Sequence, residues 1–524
     1  MGVAKGQGHE DQAAGTVDFR ISCSPEAQTA FNRAVTLLHH MTYPRARESF
    51  QQVAQIDSRC SMAHWGLAMT LFQPLWPTRP GLSERRQGWE AVQKATQIGA
   101  ATERERMLVD AVAAFFRDPE SPDYWQRIGR WEEAMAKAYA AFPQDPEITA
   151  FYALAHIASA PPDDQSVAAH SARAADLLLA VYKKDSAHPG AMHYLVHAND
   201  APGREGVSLD VTRKYEASAP RNPHALHMPT HIYTRLGEWG AVVRGNLLAA
   251  EAALEHPAGD RGQYVWDEFP HAIEYAVYAY LQQGADADAA AQLKRLHETP
   301  QLEPTFKTAF HLASTRARYV VERRAWREAI SLTPREAPAL DWDRFTWPEA
   351  VIWFARGLGA AHERRVDEAR LSVDRLVALA EKARSAGEDL FSRNIRILEL
   401  EVRAWVAHAE RDHASSLTLI REAAELEHST PKHAVTPGPT LPAHELWGDL
   451  LLEQRRSMDA LTMYRTSLNL YPKRFNSLLG AARAAAATND TAAARAYYQQ
   501  LLTVAAGSGR LAELEEARRF LAGR

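Results

Sequence analysis

A ten-residue block of this chain returns 34 positions later, and that distance constrains the fold more than any other feature. The segment 188–197, H-P-G-A-M-H-Y-L-V-H, lies over 222–231, N-P-H-A-L-H-M-P-T-H. Pro189 falls over Pro223, Ala191 over Ala225, His193 over His227, His197 over His231, and, further on, Gly203 over Gly237. Thirty-four residues make two antiparallel helices and a turn, the unit of a helical repeat array. With 22 histidines in 524 residues, one His-x-x-x-His pair is expected by chance, whereas both members recurring in register has odds of about 0.2%.

The rest of the chain agrees with an array. Apolar residues recur at helical spacing from about residue 25 onward, with almost no alternating Val/Ile/Thr runs, so the chain reads as all-α. Residues 1–20 read as a flexible polar tail, 21–428 as an irregular helical array, 429–442 as a proline-rich linker, and 443–524 as a terminal repeat pair with a capping helix. In that last segment Gly448, Ala460, Tyr464 and Pro472 sit where two helices approach closely and a ring fills the gap, and Ala482, Ala494 and Tyr498 repeat the pattern 34 residues on. Further helix pairs are expected over 83–116, 123–159, 305–333 and 346–427, without a readable repeat register.

With the 34-residue unit and the tract A-L-H-M-P-T-H-I-Y-T-R-L-G-E-W from Ala225 to Trp239, the chain resembles a group of bacterial tetratricopeptide-repeat proteins. Their shared marks are tracts like A-M-H-Y-L-V-H-A-x-D and L-H-M-P-T-H-I-Y-x-R-L-G, present here at Ala191–Asp200 and Leu226–Gly237. The likeness extends from about Phe31 to Tyr498. It implies a solenoid of helical hairpins wound as a right-handed superhelix, and it implies no particular reaction.

In that fold the first helix of each hairpin turns positions two, five, nine and twelve toward a concave groove. Counted from the turn glycines Gly203, Gly237 and Gly284, the groove receives His193, His197 and Asp200 from one helix. The next supplies His224, His227 and His231, and a third supplies His271, Glu274 and Tyr278. Imidazoles at i and i+4 lie one turn apart and can grip one ion. His193, His197, His227 and His231 are therefore the expected core of a metal site, with His271 as a further ligand. A nitrogen and carboxylate set suits divalent zinc, iron, copper, nickel or manganese without choosing among them. Asp200, Glu274 and Tyr278 are the candidates for proton transfer, and with His224 they line the groove. Pro229, between the second pair, should bend its helix. His-Met-Pro-Thr-His supplies no glutamate base, which excludes a zincin protease.

Two function classes follow. One is a metal-binding repeat protein to which a metal-dependent reaction on a small molecule is open. The other is a non-catalytic scaffold whose groove binds a peptide or protein partner. A net charge of -5 gives no basic field for nucleic acid, and no apolar stretch reaches the length of a membrane span. Cys23 and Cys60, the only cysteines, exclude a disulfide framework, and nothing in the sequence points to a bridge between them. A cytoplasmic protein is the expectation.

Overall fold

A computed structural model describes residues 17–76, 79–161, 163–259, 261–337, 339–505 and 509–523. Among the described residues it is almost entirely α-helical, built from successive antiparallel helical hairpins. The expected tail lies outside the described residues as far as residue 16. Phe19, assigned to that tail, is buried, with its ring 5.2 Å from Phe31 and 5.5 Å from Trp65.

The chain forms two compact units, one of 1–161 with 165–232 and one of 162–164 with 233–524. The division falls at residues 232 and 233, and the proline-rich segment 429–442 runs inside the second unit. In chain order the first unit holds α1 (Pro25–His39), α2 (Tyr43–Ile56), α3 (Ser61–Thr70), α4 (Leu82–Ile98), α5 (Glu103–Phe116), α6 (Tyr124–Ala141), α7 (Pro146–Ala158), α8 (Asp164–Lys184), α9 (Pro189–Asn199), α10 (Leu209–Ser218) and α11 (Pro223–His227). The boundary crosses α12 (Pro229–Leu236).

Local signals set these helices. Ser24, Thr102, Asp123, Asp145, His188 and Asn222 each accept a backbone N–H at the start of a helix, satisfying a donor that has no partner within its own helix. His188 and Asn222 are repeat equivalents, so the cap recurs together with the histidine pair. Gly203, Gly237 and Gly284, identified from spacing as turn glycines, have φ of 75°, 63° and 65°, a region that favours glycine. Pro229 divides the expected single helix into α11 and α12.

Within the first unit α1 packs on α3, α3 on α5 and α7 on α9, and α9 comes round to touch α1. That contact brings residues 39–40 and 193–197, far apart in sequence, into one place. Cys23 and Cys60 are joined in a disulfide with Cα atoms 5.3 Å apart, a pairing that the sequence did not indicate because it depends on this tertiary approach.

The second unit holds α13 (Trp239–Leu254), α14 (Glu268–Gln282), α15 (Asp286–Glu298), α16 (Phe306–Glu322), α17 (Trp326–Ile330), α18 (Thr346–His362), α19 (Val366–Ser385), α20 (Asp389–Ala409), α21 (His413–His428), α22 (Ala443–Glu453), α23 (Ser457–Leu470), α24 (Phe475–Ala487), α25 (Thr491–Val504) and α26 (Leu511–Leu521). A two-residue hairpin, β1 (Pro257–Ala258) with β2 (Tyr264–Val265), interrupts an otherwise helical chain. The even-numbered helices from α14 to α24 each pack on the next, and α24 returns to α14. Gly448 and Gly480 admit the Tyr464 ring, where a Cβ would stand 2.7 and 2.3 Å from its atoms.

The second unit therefore curls shut on its inner face, and the proline-rich segment fills what remains. Val435, Thr436 and Leu441 are buried. Tyr275 Oη donates to Thr436 O at 3.1 Å, and the Arg318 guanidinium donates to Pro439 O at 2.7 Å and Gly438 O at 3.1 Å. The segment is not helical, as its prolines require, but it is anchored packing and not a loose connection.

Candidate metal centre

The histidines of α9 and α11 converge inside the first unit. One ligand atom each from His193, His197 and His224 lie within 4.8 Å of one another. His193 Nε2 faces His197 Nε2 at 3.1 Å, and the His224 ring centroid is 5.0 Å from that of His193. His227 and His231 close on each other, Nε2 to Nε2 at 2.9 Å. His224 thus completes the first pair, while the second pair forms its own contact. The groups observed differ from the single four-histidine core expected from spacing.

Proton positions follow from the partners. His193 Nδ1 lies 2.5 Å from the carbonyl oxygen of His39, which can only accept, so Nδ1 carries the hydrogen and a neutral ring leaves a lone pair on Nε2. Burial, reinforced by His197 and His224, holds the His193 pKa well below its ordinary value. Its ring is neutral at physiological pH. His231 Nδ1 lies 2.8 Å from Asp200 Oδ2, and the carboxylate fixes the same tautomer. In both pairs one ring is thus oriented by an oxygen acceptor so that its Nε2 meets a second imidazole nitrogen. Metal-bound histidines are held in this way, by a carbonyl or carboxylate on the far nitrogen.

The surroundings keep the rings in place. Tyr215 stacks on His193 with centroids 5.3 Å apart and planes 11° from parallel, and its hydroxyl lies 2.9 Å from His40 Nδ1. Trp76 covers His224 at 5.5 Å. His193, His224, His227 and His231 are buried, whereas His197 and Asp200 are half-buried.

A third titratable cluster pairs its imidazoles with a carboxylate instead of with each other. His39, Glu147 and His188 also have ligand atoms within 4.8 Å of one another. His188 Nδ1 accepts from Ala191 N, so its Nε2 carries the hydrogen and lies 3.3 Å from Glu147 Oε1, within ion-pair distance but without hydrogen-bond geometry. The Tyr194 hydroxyl lies 3.0 Å from His39 Nδ1, leaving His39 Nε2 to donate to Glu147 Oε2 at 2.8 Å. Burial works to raise the Glu147 pKa, but His39 and His188 hold it well below the usual carboxylate range. Both facing nitrogens carry hydrogens there, and the carboxylate between them accepts from His39 and pairs with His188. This cluster anchors the end of α1, whose carbonyl in turn orients His193.

The remaining sequence candidates, His271, Glu274 and Tyr278, lie in the second unit. His311 Nε2 lies 2.9 Å from His271 Nδ1, and His311 Nδ1 lies 2.5 Å from Glu274 Oε2. Glu274 Oε1 accepts from Ser314 at 2.6 Å and pairs with Arg318 at 3.4 Å. Tyr278 accepts from Arg474, which also pairs with Glu322 at 2.8 Å and Glu445 at 3.0 Å. Glu274 and Tyr278 were expected to line an open groove, but they are buried by closure of the array onto its own inner face. Sequence spacing gave no sign of His311, Glu147 or the acceptor carbonyl of His39, whose partners lie 37 to 154 residues away.

No protein-family model matches the chain, and no curated protein matches it. Among solved structures it is similar to the APC/C hetero-tetramer Cut9-Hcn1, at 13% identity and a TM-score of 0.31 over 94% of this chain and 90% of that one. It is also similar to a human IFIT1 dimer with m7Gppp-AAAA, at 12% identity and a TM-score of 0.36 over 85% of this chain and 90% of that one. A monomeric IFIT1 mutant with Gppp-AAAA gives 12% and 0.37 over 92% and 96%. TM-scores below 0.5 transfer neither ligand nor partner to this chain.

Proposed function

We propose that this chain is a metal-binding helical-repeat protein of the kind suggested by its likeness to bacterial tetratricopeptide-repeat proteins, with the His193, His197 and His224 set holding a divalent transition metal. One observation carries the reading. His193 and His197 present Nε2 atoms 3.1 Å apart, and the tautomer of His193 is fixed by a backbone carbonyl on the far side. An ion bound at about 2.0–2.1 Å to each of two cis nitrogens places those nitrogens about 2.9–3.4 Å apart. The half-buried edge at His197 supplies an approach for a small substrate, and Asp200 is the nearby carboxylate for proton transfer. The all-nitrogen donor set fits zinc, copper, nickel, iron or manganese.

Elemental analysis of untagged, full-length protein tests this. The expected result is bound metal in at least stoichiometric amount, reduced in His193→Ala and in His224→Ala. Metal-free protein whose melting does not respond to added zinc, copper or cobalt contradicts it. The Cys23–Cys60 bridge favours an oxidising compartment over the cytoplasm. Among the described residues no helix is long and apolar enough to cross a membrane.

A scaffold role has one observation of its own. A surface groove of about 290 Å³ between α21, α22 and α23 is lined by Leu417, Arg421, Trp447 and Met463, and Met458 beside it is 73% exposed. An apolar side chain of a peptide or protein partner fits such a groove. A partner recovered by the intact chain, lost on Met458→Asp and indifferent to chelator, supports this second role.

A further inference from the structure

Resting on the metal reading above, the geometry points to a two-ion centre, in which His227 and His231 hold a second ion distinct from the one at His193, His197 and His224. The argument begins with nitrogen separations. A single ion with bonds of about 2.0–2.1 Å spans at most about 4.2 Å between opposite nitrogens. Within the pairs the separations are 3.1 and 2.9 Å, each the span of two cis ligands on one ion. The nitrogen that closes with the first pair comes from His224 and not from His227 or His231.

Each pair also has its own orienting acceptor. His39 O takes the Nδ1 hydrogen of His193, and Asp200 Oδ2 takes that of His231. Repetition of the oriented pair, one helical repeat apart, gives each repeat the parts of its own chelate. His224 stands between them, its ring centroid 5.0 Å from His193 and 6.3 Å from His227. The two chelates thus form one continuous cluster. His227 and His231 contribute two nitrogens to the second ion.

Cobalt(II) loading of untagged, full-length protein, followed by gel filtration and elemental analysis, tests the count. Two cobalt ions per chain are expected, falling to one in His231→Ala and to one in His193→Ala. Asp200→Asn keeps every ring and should weaken only one of the two ions, by about 10–100-fold, and it serves if His231→Ala does not fold. One ion in the intact chain, or loss of all cobalt in His231→Ala with native circular dichroism, overturns the second site and leaves the first standing. No cobalt in any sample overturns the metal reading as well.

Discussion

Both units curl until a late helix touches an early one, and both bury polar side chains on the enclosed face, yet they satisfy those side chains differently. In the second unit opposite charges meet. Arg474 lies between Glu322 and Glu445, and Arg318 lies on Glu274 and on the carbonyls of 438 and 439. In the first unit, on α9, α11 and α12, like meets like, and imidazole nitrogens face imidazole nitrogens, with the far sides of His193 and His231 already engaged. A buried charge network of the first kind specifies packing. An imidazole donor set of the second kind has the character of a binding site.

The comparison breaks most visibly if the second-unit network proves dispensable. Arg474→Met leaves Glu322 buried without its cation and Glu445 with Arg324 alone, and should cost about 3–5 kcal/mol in urea unfolding of that unit. An effect below about 1 kcal/mol would show the network to be incidental. In the first unit Cys60→Ser opens a bridge between residues 37 apart and should cost about 3–4 kcal/mol by the loop-entropy relation. Dithiothreitol should reproduce the loss in the parent and do nothing further in the variant.

Much of the architecture was legible because repeat signals are local. The 34-residue register placed the turn glycines, whose positive φ is observed, and Pro229 marked the helix break. Gly448 and Tyr464 identified a close helix approach. The ligand set was legible only in part, since helical spacing identifies which residues share a face but not how far the array curls. Curling brought His39 to His193 and buried Glu274 and Tyr278. It also turned a proline-rich stretch, locally a linker, into the filling of the second unit. The Cys23–Cys60 bridge was hidden for the same reason.

Two smaller effects sharpen the contrast through pH. Glu401 is fully buried, with neither carboxylate oxygen hydrogen-bonded, and burial next to Glu427 holds its pKa well above the usual carboxylate range. Glu427 is likewise pushed up to about 7, mainly by burial. The unfolded chain ionises both near 4.5 while the folded chain keeps its protons, so stability should be lost as pH rises from about 4.5 to about 7. Glu401→Gln should flatten that decline, gaining about 1–3 kcal/mol at pH 8 relative to pH 5, and an unchanged slope would count against the assignment.

His362 runs the other way. It is stacked between Trp326 and Trp405, each 3.9 Å away, and its pKa is lowered to about 3 by burial, with Arg324 and His408 adding to the effect. The unfolded chain takes up a proton near 6.5 that the folded chain refuses, so stability should fall as pH drops below 6.5. His362→Phe should remove about 1–2 kcal/mol of that loss at pH 5, read from the acid limb of the melting curve.

The central claim, that the α9 and α11 imidazoles form a metal centre, is tested most directly by X-ray absorption spectroscopy of untagged, cobalt-loaded protein. The account predicts a shell of nitrogens at about 2.0–2.1 Å with imidazole scattering beyond it, diminished in His193→Ala. A shell of oxygens alone, or a spectrum unchanged by that substitution, would contradict it.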